Sequence, residues 1–222
     1  MPSNVHYKGP EDMPEVIPVF PLAGALLLPR GHIPLNIFEP RYLAMVDHAL
    51  AGHRLIGLIQ PESDADTATA PPLYRVGCVG RLTEVAETGD GRYIITLTGV
   101  ARFQIVEEQA VLTPFRQCRV DFLPYARDFV PRLGEAEVDR TALLNALRAF
   151  SEAKSIEIDW DGVSEAPNEA LVNALAMMSP YGVREKQALL EAPDLKSRSE
   201  LLVAITEIEL SRDSGDTDIT VQ

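Results

Sequence analysis

The chain has 222 residues, enough for one large domain or two small ones, and 46% of them are apolar, enough to fill a core. Its formal net charge is −13, with 11 basic against 15 acidic residues up to residue 130 and 9 against 18 beyond it. Neither half carries the basic surface that phosphate neutralisation demands, so no nucleic-acid partner is expected and anionic membrane surfaces are disfavoured.

The opening residues, MPSNVHYKGPEDMPEV, lack the charged-then-apolar pattern of a secretory leader, and no window is long and apolar enough for a membrane helix. A cytoplasmic location is the expectation. Residues 1–13 read as an N-terminal extension. The stretch IPVFPLAGALLLPRGHIPLNIFEPRYL (residues 17–43) then mixes apolar residues with prolines at 18, 21, 29 and 34. Prolines withhold ladder hydrogen bonds, so this segment is expected at a sheet edge or broken into short pieces. If it were a strand, Leu26, Leu27 and Leu28 could not all face one core, because successive side chains alternate. At least one is then covered by the helical half, by a partner or by nothing, and cover from within the chain is the commoner case. An exposed apolar edge of this kind suits an extended polypeptide. Leu22, Leu26, Leu27, Leu28, Pro29 and Ile33 are therefore the candidate protein-binding residues.

A short helix is predicted from Glu39, with Pro40 in its first turn, Leu43, Val46 and Leu50 on one face, and Gly52 at its end. Residues 61–72 (PESDADTATAPP) read as an exposed loop. The clearest period-two pattern is Arg92 to Ile105: Tyr93, Ile95, Leu97, Ala101, Phe103 and Ile105 share one parity, and a more polar set that includes Arg102 takes the other. With the preceding YRVGCVGRLTEV it predicts an antiparallel hairpin turned by Gly-Asp-Gly. Gly77, Gly80 and Gly99 inside these strands mark bulges or bends of a coiled sheet. Together with EVIPVFPL, RGHIPLNIF, HRLIGLIQ and FRQCRVDFL this makes about six strands and one short helix, a partly closed barrel over residues 14–128.

From residue 129 to 212 the period becomes 3.6 and about four helices are expected. Their stripes are Leu143, Leu144, Leu147 and Phe150; Leu171, Ala174, Leu175 and Met178; the run REKQALLEA; and Leu201, Leu202, Ile205 and Ile208 behind an Asp194 N-cap. Residues 213–222 read as a disordered tail. The fold class is α+β, a β pseudo-barrel followed by a helical bundle.

The sequence carries little chemistry. There is no phosphate-binding glycine loop, no His-Glu-x-x-His and no paired Cys-x-x-Cys. His6, His32, His48 and His53 are not spaced to share a helical face, and Cys78 and Cys118 read as reduced core residues. Ser164 in DGVSEA lacks a nucleophile elbow and reads as a loop residue near a helix start. Glu39 and Arg41 read as helix-end structure, the carboxylate favoured by the peptide dipoles. No catalytic residue, metal site or cofactor is expected.

These elements resemble the N-terminal substrate-binding domain of Lon proteases, a PUA-like family. The likeness is carried by Pro18, Phe20-Pro21-Leu22, Leu28-Pro29, Pro34-Leu35 and Ile37-Phe38-Glu39-Pro40-Arg41-Tyr42. It continues through Val76-Gly77-Cys78-Val79-Gly80 and Leu97-Thr98-Gly99-Val100-Ala101-Arg102-Phe103, covering about 14 to 210. The resemblance implies a PUA-like pseudo-barrel with a helical bundle, and recognition of protein substrates without cleavage. It also implies a mainly structural role for Phe20, Pro21, Phe38, Glu39, Pro40, Arg41, Tyr42, Gly77, Gly80 and Gly99. Full-length Lon proteases add an ATPase module and a Ser–Lys peptidase, whose motifs this sequence does not contain, so a stand-alone form is expected. Its partners would be unfolded or extended protein segments, with a separate protease or chaperone a further option. Two alternatives stay open: RNA binding, which PUA-like barrels often perform, and a small-molecule enzyme with its site in a cleft between the two halves.

Overall fold

A computed structural model describes residues 5–62 and 71–216. The first four residues, most of the expected 61–72 loop and the end of the expected tail lie outside the described residues. Two compact units emerge. The first comprises the residues up to Pro131 together with Tyr181–Leu190. The second comprises Arg132–Pro180 and the residues from Glu191 on.

The first unit is built on six strands: β1 (Val16–Pro21), β2 (His32–Ile37), β3 (Leu55–Ile59), β4 (Val76–Glu87), β5 (Tyr93–Glu108) and β6 (Gln117–Asp121). β1 runs parallel to β3 and antiparallel to β6; the β3–β4, β4–β5 and β5–β6 pairs are antiparallel. The ring β1–β3–β4–β5–β6 thus closes on itself. β5 makes this possible through its length. Gln104–Glu108 pair with β6, while the first half, Tyr93–Thr98, pairs with β2. The predicted hairpin is present, with Gly89 (φ 77°) and Gly91 (φ 83°) supplying the left-handed backbone of its turn. Ile17, Val19, Val79, Ala101, Phe103 and Cys118 fill the barrel at 0% exposure. Burial pushes the Cys118 thiol up to about 11, so it packs there as a small neutral hydrophobe.

The glycines work at close approaches. A Cβ on Gly99 would lie 2.0 Å from the Leu28 carbonyl oxygen, and one on Gly77 would meet Phe103 and the Leu58 carbonyl. Gly80 and Gly99 face each other beside a register shift, where Val100 is the extra residue. Gly99→Ala should therefore lower stability by about 1–3 kcal/mol, the usual cost of overpacking, read as a lower denaturation midpoint. Gly52→Ala is the control, since its Cβ would meet nothing closer than 3.5 Å.

Helix α1 (Pro40–Ala51) starts at its proline and ends at Gly52, whose N–H bonds the Ala49 carbonyl. Its buried face is Tyr42, Met45, Val46 and Ala49, so the expected stripe of Leu43, Val46 and Leu50 is rotated, with both leucines half-buried. Helix α5 (Val183–Glu191) packs in this first unit, through residues 181–190.

The second unit contains α2 (Arg140–Lys154), α3 (Trp160–Glu165), α4 (Asn168–Met178) and α6 (Leu195–Asp216). Asp139 and Asp159 cap α2 and α3, and Asp194 caps α6 as predicted, accepting from the Ser197 N–H at 2.8 Å. α6 continues through the point where the tail was expected to begin. It packs on α2 and α4, burying Leu143, Leu147, Leu202 and Ile205. The α4 stripe differs from expectation: Leu171, Val172, Asn173 and Ala176 are buried, whereas Met178 is 82% exposed. The segment from 171 to 178 is apolar nearly all round, so spacing alone does not select its inner face. Asn173 does, by accepting from buried Arg198 at 3.1 Å.

Candidate polypeptide-binding surface

The Leu/Pro-rich stretch breaks into pieces, as its prolines require. β1 is not at an edge. It tolerates Pro18 and Pro21 because Val16–Pro18 pair with β6 and Val19–Pro21 with β3, so each half owes hydrogen bonds mainly to one side. Residues 22–31 form no regular strand, and the alternation rule lapses there. Leu26, Leu27 and Leu28 are 3%, 2% and 0% exposed, and Pro29 is also buried. These four are interior, which corrects their assignment to a binding surface. Leu22 is half-buried, its N–H bonded to the Ile59 carbonyl. Ile33 is half-buried on β2.

Polar groups hold this loop on the barrel. The Gly24 N–H donates to Gln60 Oε1 at 3.1 Å, and Lys186 of α5 donates its Nζ to the Gly24 carbonyl at 2.8 Å. Gln60 Nε2 reaches Gln187 Oε1 and the Val183 carbonyl, and Gln187 Nε2 reaches the Val76 carbonyl, each at 3.1 Å. Burial depresses the Lys186 ammonium from its usual range. Among the described residues no buried side-chain N or O lacks a partner, so this cluster works as a staple and presents no unsatisfied group to a ligand.

A second anchor was not foreseen. Arg102, placed by parity on the outer face of β5, is only 3% exposed. Its Nε and Nη2 donate to the two carboxylate oxygens of Asp128 at 2.8 Å each, and its Nη1 donates to the Leu190 carbonyl at 3.0 Å. Tyr125 stacks on the guanidinium, 4.6 Å from ring centroid to Cζ. Burial discourages the charge, yet the Asp128 carboxylate outweighs it and holds the Arg102 pKa above its ordinary value.

What stays open is β2. It packs closely only on β5 among the described elements. The Gly99 N–H bonds the Gly31 carbonyl, so alternation turns Ile33, Leu35 and Ile37 towards β5 for hydrogen bonding. The backbone groups of His32, Pro34 and Asn36 then face away from the barrel. Pro34 has no N–H to waste there. Around this edge, Asn36 pairs with Ile94, which pairs with Ala86. Ile94 is 50% and Phe38 60% exposed. The row below is hydroxylic: His32 Nδ1 and Thr83 Oγ1 both lie within 3.0 Å of Thr98 Oγ1.

Phe38 thus departs from the structural role its motif implied. Among the other motif residues, Phe20 meets Tyr42 at 4.4 Å between centroids, and burial raises the Tyr42 pKa. Arg41 lies over the Tyr42 ring and pairs with the Glu39 carboxylate at 2.8 Å. Glu39 makes no side-chain cap bond. Ser164 lies within α3 and not in the expected loop; its hydroxyl donates to the Asp161 carbonyl one turn back along the helix. Among the described residues no cluster of three metal-ligating side chains occurs, and no helix is long and apolar enough to cross a membrane.

Comparison with known proteins agrees with the fold. The family model of the ATP-dependent protease La (LON) substrate-binding domain matches residues 16–207. The chain is 31% identical over 197 residues to Lon protease 2 of Sorangium cellulosum, covering 85% of this chain and 24% of that protein. It is 26% identical over 205 residues to Lon protease 2 of Myxococcus xanthus, covering 88% and 24%. It therefore spans about a quarter of the length of these relatives. Among solved structures it superposes on the Lon N-terminal domain protein from Xanthomonas campestris, with a TM-score of 0.60 at 21% identity, covering 85% of this chain and 97% of that one. The N-terminal domain of Mycobacterium avium complex Lon protease gives 0.63 at 19%, covering 86% and 98%.

Proposed function

Because the chain belongs to the Lon substrate-binding domain family, we propose that it is a non-catalytic cytoplasmic module that recognises unfolded or extended polypeptide, and that β2 receives the bound segment as an added strand. The observation that carries this reading is the one-sided pairing of β2. An edge strand offers unpaired N–H and C=O groups that only another extended backbone satisfies in register. Here the edge supplies the N–H groups of His32 and Asn36 and the carbonyls of His32, Pro34 and Asn36. Phe38 and Ile94 add apolar surface beside it, with Ile33 and Leu35 half-buried beneath. Pro34 limits the ladder to two donors, so affinity for any one segment should be modest and sequence-tolerant, which suits a recogniser of many chains.

The test is a titration of the protein into a labelled unfolded polypeptide, followed by anisotropy. Saturable binding is expected, and it should be lost when alternate backbone amides of a short extended peptide are N-methylated. Asn36→Pro removes one outward donor without touching the β5 ladder. It should weaken binding roughly threefold to tenfold, the worth of a net hydrogen bond, and leave the unfolding midpoint unchanged. Equal binding of methylated and unmethylated peptides would rule out strand addition, and failure to bind any polypeptide would rule out the function.

A further inference from the structure

The first unit carries a groove that the edge strand does not use. It is open, about 400 Å³, and lies between the turn at Pro10–Glu15 and the segment Val120–Ala126. Its floor is the core itself: Met13, Val120 and Phe122 are 8%, 7% and 4% exposed and belong to the barrel's central cluster. Its walls are held. The Met13 N–H bonds the Pro10 carbonyl, the Val120 N–H bonds the Glu15 carbonyl, and the Leu123 N–H donates to Asp121 Oδ1 at 2.9 Å. That last bond presents Leu123 outward, 72% exposed. Glu11, Glu15 and Asp121 line the groove, and among the described residues no basic one does.

We propose that this groove is a second polypeptide contact, selective for short apolar segments flanked by lysine or arginine. The inference rests on the polypeptide-binding reading above, and its own argument is complementarity. The space suits one or two large apolar side chains, at the small end of ligand sites. Leu123 is an exposed apolar wall over a floor that is already nearly buried, so it is the surface that a bound apolar side chain would remove from water. The three carboxylates repel nucleic acid and acidic chains and attract cationic flanks. Unfolded segments often join these two features, since natural chains place charged gatekeepers beside apolar runs. Selection here is for the basic ones.

The experiment uses the full chain and three labelled peptides with one apolar centre and Lys, Ser or Glu flanks. At low ionic strength the Lys-flanked peptide should bind roughly tenfold more tightly than the Glu-flanked one, from several exposed ion pairs together, and the gap should close near 1 M salt. Leu123→Ser should weaken all three peptides by about tenfold or more. Glu11→Lys with Glu15→Lys should reverse the order of Lys and Glu flanks. The same charge change at exposed Glu137 and Glu207, which do not line the groove, should leave the order intact. A preference that survives the Glu11/Glu15 reversal, or equal binding of the three peptides, overturns the proposal. Under either result Asn36→Pro would still weaken the common binding, so the edge-strand reading would stand. Self-association abolished by Leu123→Ser would put a second copy in the groove and overturn it too. No binding by any peptide would overturn both.

Discussion

Asp128→Ala is expected to destabilise the protein by about 3–5 kcal/mol, the cost of removing one partner from a buried ion pair. The residue left behind sets the size of the effect. Arg102 is nearly sealed, and its guanidinium bonds both Asp128 oxygens; its own backbone N–H also donates to Asp128 Oδ2 at 2.9 Å. Alanine at 128 would strand a permanent charge and a backbone donor away from water. Against a typical total of about 5–15 kcal/mol for a domain, that is a large share. The check is a urea midpoint shift at unchanged slope. A paired replacement, Arg102→Met with Asp128→Leu, should cost much less, because it removes both charges and so leaves none buried alone. If the single and paired variants were equally destabilised, the ion pair would not be the cause.

The same residue shows what local sequence conveys. Parity in Arg92–Ile105 correctly puts Ile95, Leu97, Ala101 and Phe103 inside, because alternation is a property of one strand. It also puts Arg102 outside, and outside the barrel wall is where Arg102 lies. Parity cannot say that Leu190, far along the chain, and the segment Leu123–Phe129 bring hydrogen bonds to it there. The individual strands, the hairpin turn and the Asp194 cap were legible because each depends on near neighbours. The edge strand was partly legible: prolines announced a broken, edge-like segment, yet the exposed piece is β2 with Phe38, downstream of the leucines. The groove was invisible, since Pro10–Glu15 and Val120–Ala126 meet only through the β1–β6 pairing.

Leu27→Ala should cost about 2–5 kcal/mol, as large-to-small changes in a core do, and should leave polypeptide affinity per folded molecule unchanged. The leucine's Cδ2 occupies the space over Gly80, where even a Cβ would come within 2.8 Å of it. Gly80 has no side chain and lies in the β4–β5 ladder, and Leu97 beside it is itself fully buried. Neighbours so fixed cannot collapse into the vacated volume, which places the cost in the upper part of the range. Unfolding by denaturant reads the first half of the prediction, and anisotropy titration under conditions where the variant stays folded reads the second. A surface leucine that grasped another chain would give the opposite pattern, weaker binding with stability changed by no more than about 0.5 kcal/mol. The contrast with Asn36→Pro, which should weaken binding and spare stability, separates the residues that hold the barrel together from those that offer it to a partner.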